Sequence, residues 1–292
     1  MSLVKFALKA QGASHVEKEI PCQDSTDAVL GLNCSIGIAC VADGHGSNKH
    51  FRSDKGSNFA VSIAMHSMAD FYGSITKKKA SFFNYKQGFD SIKINDMSSK
   101  LKQLEANIIY KWRNAVLEDL KSNSLTEKET KICKSNNIFF DDYTDLIFIY
   151  GTTLIAGLLS DNFWFVIQIG DGLCVVLENR ENVICPIQED ERLAFGKTTS
   201  LCDSDAINSF RESYGIVPIL GLIVATDGIT DSFEHDKYIQ FNKELYEKFC
   251  NFPERTEKEL SEFLPSISER GSRDDVSIAG IFKLMEQTKT QL

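Results

Sequence analysis

Cys34-Ser-Ile-Gly-Ile-Ala-Cys-Val-Ala42 is an almost unbroken apolar run of strand length, and it stops abruptly at Asp43-Gly-His-Gly46. Two other stretches share its character. Val224-Ala-Thr-Asp-Gly-Ile-Thr-Asp231 also carries an apolar run into Asp-Gly, and in Gly271-Ser-Arg-Asp-Asp-Val276 two carboxylates stand directly before the apolar run Val276 to Phe282. A strand end holds a side chain rigidly, and glycine lets the backbone turn sharply or come close to a ligand. One Asp-Gly marks an ordinary turn. Three acidic strand ends, joined by Asp24 in Pro21-Cys-Gln-Asp24 and Asp171 in Gln168-Ile-Gly-Asp-Gly172, make instead a set of fixed oxygen ligands. Hard divalent cations such as Mg²⁺ and Mn²⁺ prefer such ligands.

Outward from these stretches the periodicity sorts the chain into elements. Val4, Phe6 and Leu8 alternate with Lys5, Ala7 and Lys9, which predicts a half-buried strand. From Ser53 the period changes, and Ala60, Ile63, Ala64, Met68 and Phe71 share one helical face, with Ser53 or Asp54 as N-cap. Met97, Leu101, Leu104, Ile108, Trp112, Ala115 and Leu120 form a second stripe, read as core packing. Residues 73–95 and 121–137 read as connections. Strand-like runs follow at Leu146 to Leu159, Phe163 to Ile169, Leu173 to Leu177 and Val183 to Ile187, with turn residues between them that predict antiparallel hairpins. Residues 188–214 lose periodicity and read as a mobile flap. Leu220 to Ala225 returns as a strand, 236–250 and 256–264 as helices, and 276–283 as a last strand. Consecutive strands with helices gathered in blocks predict an α+β fold with antiparallel sheets.

Bulk properties narrow the function. A chain of 292 residues buries a core with ease, and a net charge of −9 with a pI near 5.2 speaks against a nucleic-acid surface. No apolar run approaches the ~20 residues that a membrane helix needs, and nothing resembles a signal peptide. The eight cysteines include no Cys-x-x-Cys pair, so the expectation is a reduced, cytosolic protein without a membrane partner. Gly196-Lys-Thr198 lacks the earlier glycine of a phosphate-binding loop, since Glu191 stands there. The five histidines show no close ligand spacing, which excludes an ordinary zinc site.

Val41-Ala-Asp-Gly-His-Gly46, Gly151-Thr-Thr-Leu154, Ile169-Gly-Asp-Gly172, Ala225-Thr-Asp-Gly-Ile-Thr-Asp231 and Ser272-Arg-Asp-Asp-Val-Ser277 occur in an order and spacing similar to those of the PP2C-type, metal-dependent Ser/Thr protein phosphatases. Gly12-Ala-Ser-His15 with Pro21-Cys-Gln-Asp-Ser25 resembles a bacterial-style branch of that family. The resemblance spans nearly the whole chain and implies one phosphatase domain over residues 1–292, in which two packed antiparallel sheets are flanked by helix pairs. It implies hydrolysis of phosphoserine and phosphothreonine in protein substrates by a cytoplasmic, monomeric signalling enzyme.

The resemblance also implies a site. Two Mn²⁺ or Mg²⁺ ions would share Asp43, with the Gly44 carbonyl on one and Asp227 and Asp274 on the other. A water bridging such cations loses a proton near neutral pH and becomes the nucleophile. Asp24, Asp231 and Thr153 match positions that hold metal-bound waters, and Asp171 matches a residue associated with an additional, weaker metal. His45 matches the proposed general acid, and its ordinary pKa near 6.5 suits that work. Gln23 stands where the eukaryotic pattern has Glu, which would weaken one metal, and Glu19 stands where an Arg would contact phosphate. His15, Arg52 and Arg273 are the replacement candidates. The alternative is a non-catalytic module that keeps the fold and binds partners, against which intact Asp43, Asp227 and Asp274 speak.

Overall fold

The alternation of inward and outward residues along the strands builds four layers. The computed structural model describes residues 2–31, 35–80, 94–138, 143–190, 192 and 198–284. In chain order its elements begin with β1 (Ser2–Ala10), α1 (Ala13–Glu17), β2 (Ser25–Leu30) and β3 (Ile36–Ala42). Two long helices follow, α2 (Ser53–Ala80) and α3 (Ile94–Ser122), then the shorter α4 (Glu127–Ser135) and α5 (Tyr143–Ile147). Next come β4 (Leu154–Ser160), β5 (Trp164–Ile169), β6 (Leu173–Leu177), β7 (Val183–Ile184), α6 (Ala206–Ser209), β8 (Arg211–Gly215) and β9 (Gly221–Ala225). The described chain closes with α7 (Asp227–Thr230), α8 (His235–Asn251), α9 (Pro253–Arg270) and β10 (Val276–Leu284).

The strands form two antiparallel five-stranded sheets, ordered β1-β10-β9-β6-β7 and β2-β3-β4-β5-β8. On β3, Ile38 and Cys40 face α2 and α3, whereas Ala39 and Val41 face the other sheet. On β9, Leu222 and Val224 enter the space between the sheets, while Ile223 and Ala225 pack under α8 and α9. Consecutive residues of a strand point to opposite faces, so apolar runs without a polar alternation are what strands covered on both sides require. The α+β fold with two packed antiparallel sheets and flanking helix pairs is therefore present.

Several local expectations give way to tertiary context. Residues 121–137 are more than a connection, because Thr126 and Glu129 close a capping box that starts α4. Leu146 to Tyr150 is not strand: α5 ends at Ile147, and a 3-10 turn over Phe148–Tyr150 sinks Ile149 and Tyr150 into the core. β5 and β6 do not pair as a hairpin. Gly170, with φ of 103°, turns the chain out of one sheet and into the other, a conformation that suits glycine. The expected flap 188–214 yields α6 and the edge strand β8, which pairs with β5; residues 191 and 193–197 of it lie outside the described residues. The expected connection 73–95 is shortened by α2, which runs to Ala80, and its residues 81–93 lie outside them too. Among the described residues, no helix is long and apolar enough to cross a membrane.

Candidate metal centre

The pairing registers bring the acidic strand ends to one edge of the sandwich. Ala42 pairs with Ser25, and Ala225 lies opposite both Ile278 and Leu173, so the residues just beyond β3, β5 and β9 and just before β2 and β10 gather there. Asp43 follows β3, Asp171 lies in the crossing between the sheets, and Asp227 opens α7. One carboxylate oxygen from each of these three lies within 4.8 Å of the others. They line a cleft of about 430 Å³ together with Gly44, His45, Gly46, Ser47, His50, Thr198 and Asp274.

Asp43 is held by its backbone, which leaves its carboxylate free for the cleft. Its N–H donates to Thr153 Oγ1 at 3.0 Å, and its carbonyl accepts from Thr153 N and Thr152 Oγ1, both at 2.8 Å. Thr153 thus fixes the strand end that carries Asp43. Gly44 is clamped beside it by a bridge to Thr152.

Crowding shows in the electrostatics. Burial, with Asp24, Asp227 and Asp274 nearby, pushes the Asp43 carboxyl well above the usual carboxylate range. Burial, then Asp171 and other carboxylates, pushes Asp227 up to about 7. Burial and then Asp275 do the same to Asp24, again to about 7. Like charges forced together in a poorly solvated place disfavour ionisation, and a cation among them reverses that preference. Among the described residues, the lining of the cleft includes no Lys or Arg. An all-oxygen donor set without a charged partner fits a hard divalent cation.

The remaining expected residues separate into several groups. Asp274 lines the same cleft from the start of β10, its side chain 56% exposed. Asp24 sits behind the cleft, buried, accepting from Thr226 Oγ1 at 2.9 Å. Asp231 lies one turn beyond Asp227, its N–H on the Asp227 carbonyl. Gln23 is outside the lining and donates from Nε2 to Ser53 Oγ at 2.6 Å. Arg52 is turned away into the protein: Nε and Nη2 fork onto Glu129 at 2.7 and 3.0 Å, and Nη1 donates to the Tyr150 hydroxyl at 2.8 Å. Arg273 adopts a left-handed φ of 65° and pairs with Glu17. His15 is buried against Asp274 and Asp275.

His45 does line the cleft, yet burial and the neighbouring His50 hold its imidazole down to about 4. Its ring is neutral near pH 7, not poised at the ordinary histidine value. Three lining residues, Ser47, His50 and Thr198, are not singled out by the sequence, and partners are clear for the last two. His50 donates from Nδ1 to the Phe148 carbonyl at 2.6 Å, and Thr198 donates from its hydroxyl to Asp171 Oδ2. Neither has a sequence signal beyond its residue type, since both roles depend on partners distant in the chain.

A protein-family model described as Protein phosphatase 2C matches residues 11–265. The chain belongs to the protein phosphatase 2C family. That membership makes it a protein-serine/threonine phosphatase by class. The match ends before Asp274, so the geometry alone attaches that carboxylate to the cleft. Among solved structures, the chain is similar to a bacterial serine phosphatase at 13% identity and a TM-score of 0.58, covering 98% of this chain and 100% of that one. It is also similar to the catalytic domain of the serine/threonine phosphatase PstP in complex with two manganese ions, at 14% identity and a TM-score of 0.54, covering 97% and 99%. Stp1 from Staphylococcus aureus matches at 13% identity and a TM-score of 0.56, covering 98% and 96%. At such identities the likeness is one of fold. No curated protein matches the chain.

Proposed function

We propose that residues 1–292 act as a single domain, a divalent-cation-dependent phosphoprotein phosphatase that hydrolyses phosphoserine and phosphothreonine. The observation that carries this reading is the approach of Asp43, Asp171 and Asp227 within 4.8 Å, with burial and then neighbouring carboxylates raising Asp43 and Asp227, in a member of this family. Asp43, the Gly44 carbonyl, Asp227 and Asp274 would hold two Mn²⁺ or Mg²⁺ ions, Asp171 would serve a further, weaker one, and Asp24, Asp231 and Thr153 would hold metal-bound waters. Bound there, such cations would supply positive charge among the crowded carboxylates and an acidified water as nucleophile.

The chain's own residues then orient and move protons. Thr152 and Thr153 hold the Asp43 backbone at the end of β3 and so fix the point from which its carboxylate reaches a cation. His45 would give the proton that the departing serine or threonine alkoxide needs. Its neutral resting state suits a substrate that brings negative charge: a phosphate dianion beside the ring raises the imidazole and lets it take up and pass on a proton. His50, anchored on the Phe148 carbonyl, limits how that ring can turn.

Release of phosphate from phosphoserine and phosphothreonine peptides, followed with Mn²⁺, with Mg²⁺ and in excess chelator, tests the reading. Hydrolysis with either cation and none in chelator is expected. Full activity in chelator overturns the cation-dependent reading, and no hydrolysis under any condition favours the non-catalytic alternative.

A further inference from the structure

The two aspartates of Asp274-Asp275 face opposite ways. Asp274 points to the cleft, while Asp275 is 2% exposed at its side chain and turns into the protein. The inward carboxylate is held by two backbone hydrogen bonds and contacted on a third side by an imidazole. Asp275 Oδ1 accepts from Gly12 N and Oδ2 from Gln23 N, each at 2.6 Å, and His15 Nδ1 lies 3.0 Å from Oδ2.

The backbone around His15 is fastened to the same turn. Ser14 N donates to the Arg273 carbonyl at 2.9 Å. Ala13 N donates to Ser268 Oγ at 3.0 Å, and that hydroxyl donates in turn to the Asp274 carbonyl at 2.8 Å. Gly12 approaches so closely that a Cβ on it would stand 2.4 Å from the Asp274 carbonyl carbon, so this position has no room for a side chain. His15, 9% exposed at its side chain, reaches past Asp275 towards the cleft: its Nε2 lies 3.5 Å from Asp274 Oδ1. A single imidazole therefore spans the anchored carboxylate and the cleft-facing one.

We propose that His15, braced by Asp275, sets the pose of the Asp274 carboxylate and is thus a positioning residue of the cation site, not a contact for the substrate phosphate. The proposal rests on the reading of Asp274 as a cation ligand. Asp274 Oδ1 also accepts from the Asp275 N–H at 2.8 Å, but Asp274 is far more exposed than Asp275 and that one bond leaves its other oxygen unrestrained; the imidazole adds a second, side-chain restraint from behind. Groups that orient a ligand from behind commonly change metal affinity by about 10- to 100-fold when lost.

Calorimetric titration of Mn²⁺ into the cation-free protein tests this without any turnover. His15→Ala removes both nitrogens and should raise the Mn²⁺ Kd by about tenfold or more. His15→Asn can keep a donor towards Asp275 but cannot reach Asp274, and should raise it by less. Thermal melting of the cation-free proteins identifies a variant that fails to fold, and if alanine does so, the asparagine variant decides. A Kd equal to wild type in a folded variant overturns the proposal. So does a raised KM for phosphopeptide at saturating Mn²⁺ with Kd unchanged, which would make His15 a phosphate contact. A wild-type protein that binds Mn²⁺ and hydrolyses no phosphopeptide would remove the proposed activity and leave this inference standing.

Discussion

The rings of His45 and His50 meet edge to face in the cleft, 4.8 Å between centroids. Because His50 is itself anchored on the Phe148 carbonyl, the contact restrains His45 from one side. A positioned acid matters only when the leaving group needs a proton. His45→Ala should therefore lose on the order of 10²-fold in kcat on a phosphoserine peptide and much less on an aryl phosphate, whose phenolate leaves unaided. Parallel losses on the two substrates would mean that His45 orients the site and another group donates.

The crowded carboxylates make the cation-free protein pH-sensitive. Asp24 and Asp227 are pushed up to about 7 and Asp43 well above its ordinary range, whereas in the unfolded chain each titrates near its usual value of about 4. For an acid raised on folding, the associated stability is fully present below the unfolded pKa and is lost as pH rises through the folded one. The melting temperature of chelator-treated protein should fall from about pH 5 to about pH 8, and saturating Mn²⁺ should flatten the slope. A cation-free melting temperature constant over that range would contradict the crowding.

Two ligand substitutions should part company in stability while agreeing in activity. Asp227→Asn and Asp274→Asn should each nearly abolish turnover at saturating Mn²⁺. Asp227 sits within the packed trio and Asp274 is half exposed, so only the first should raise the melting temperature of the cation-free protein above neutral pH. Near-wild-type turnover in either variant would remove that residue from the ligand set.

The Arg52–Glu129 fork predicts a different pH signature. Hydrogen bonds from Arg52 pull the Glu129 carboxyl down to about 2 from its usual value of 4.5. A depressed acid contributes stability above its unfolded pKa and loses it as pH falls through the folded one. The gap in melting temperature between wild type and Glu129→Gln should thus be full above about pH 4.5 and shrink towards pH 2. A gap independent of pH would mean that packing, not charge, makes the difference.

What the sequence disclosed follows from how far each interaction reaches. Asp43, Asp171 and Asp227 were legible because strand periodicity placed them at strand ends, and the strand ends share one edge of the sandwich. Arg52 was misleading because its partner Glu129 lies 77 residues away, on a helix with few apolar residues to announce it. The capping box of Thr126 and Glu129 was the signal available for that helix. Phe148 to Tyr150 looked like strand because aromatic and β-branched residues favour it, but their burial in the turn beside α2 overrode that preference. His50 and Thr198 were invisible for the same reason of distance: the Phe148 carbonyl and Asp171 are neighbours in space alone.

The crossing at Gly170-Asp171-Gly172 has a mechanical meaning. Asp43 hangs from one sheet and Asp227 from the other, with Asp171 at the seam where the chain changes sheets. The gap between these oxygens is therefore measured by the thickness of the layer between the sheets, where Leu222 presses so closely on Gly157 that a Cβ there would lie 2.3 Å from its methyl. The sandwich works as a caliper whose jaws carry the ligands. Gly157→Ala, on the strand next to β3, forces either the Leu222 side chain aside or those jaws apart, and a raised Mn²⁺ Kd in that variant is the sign of the second.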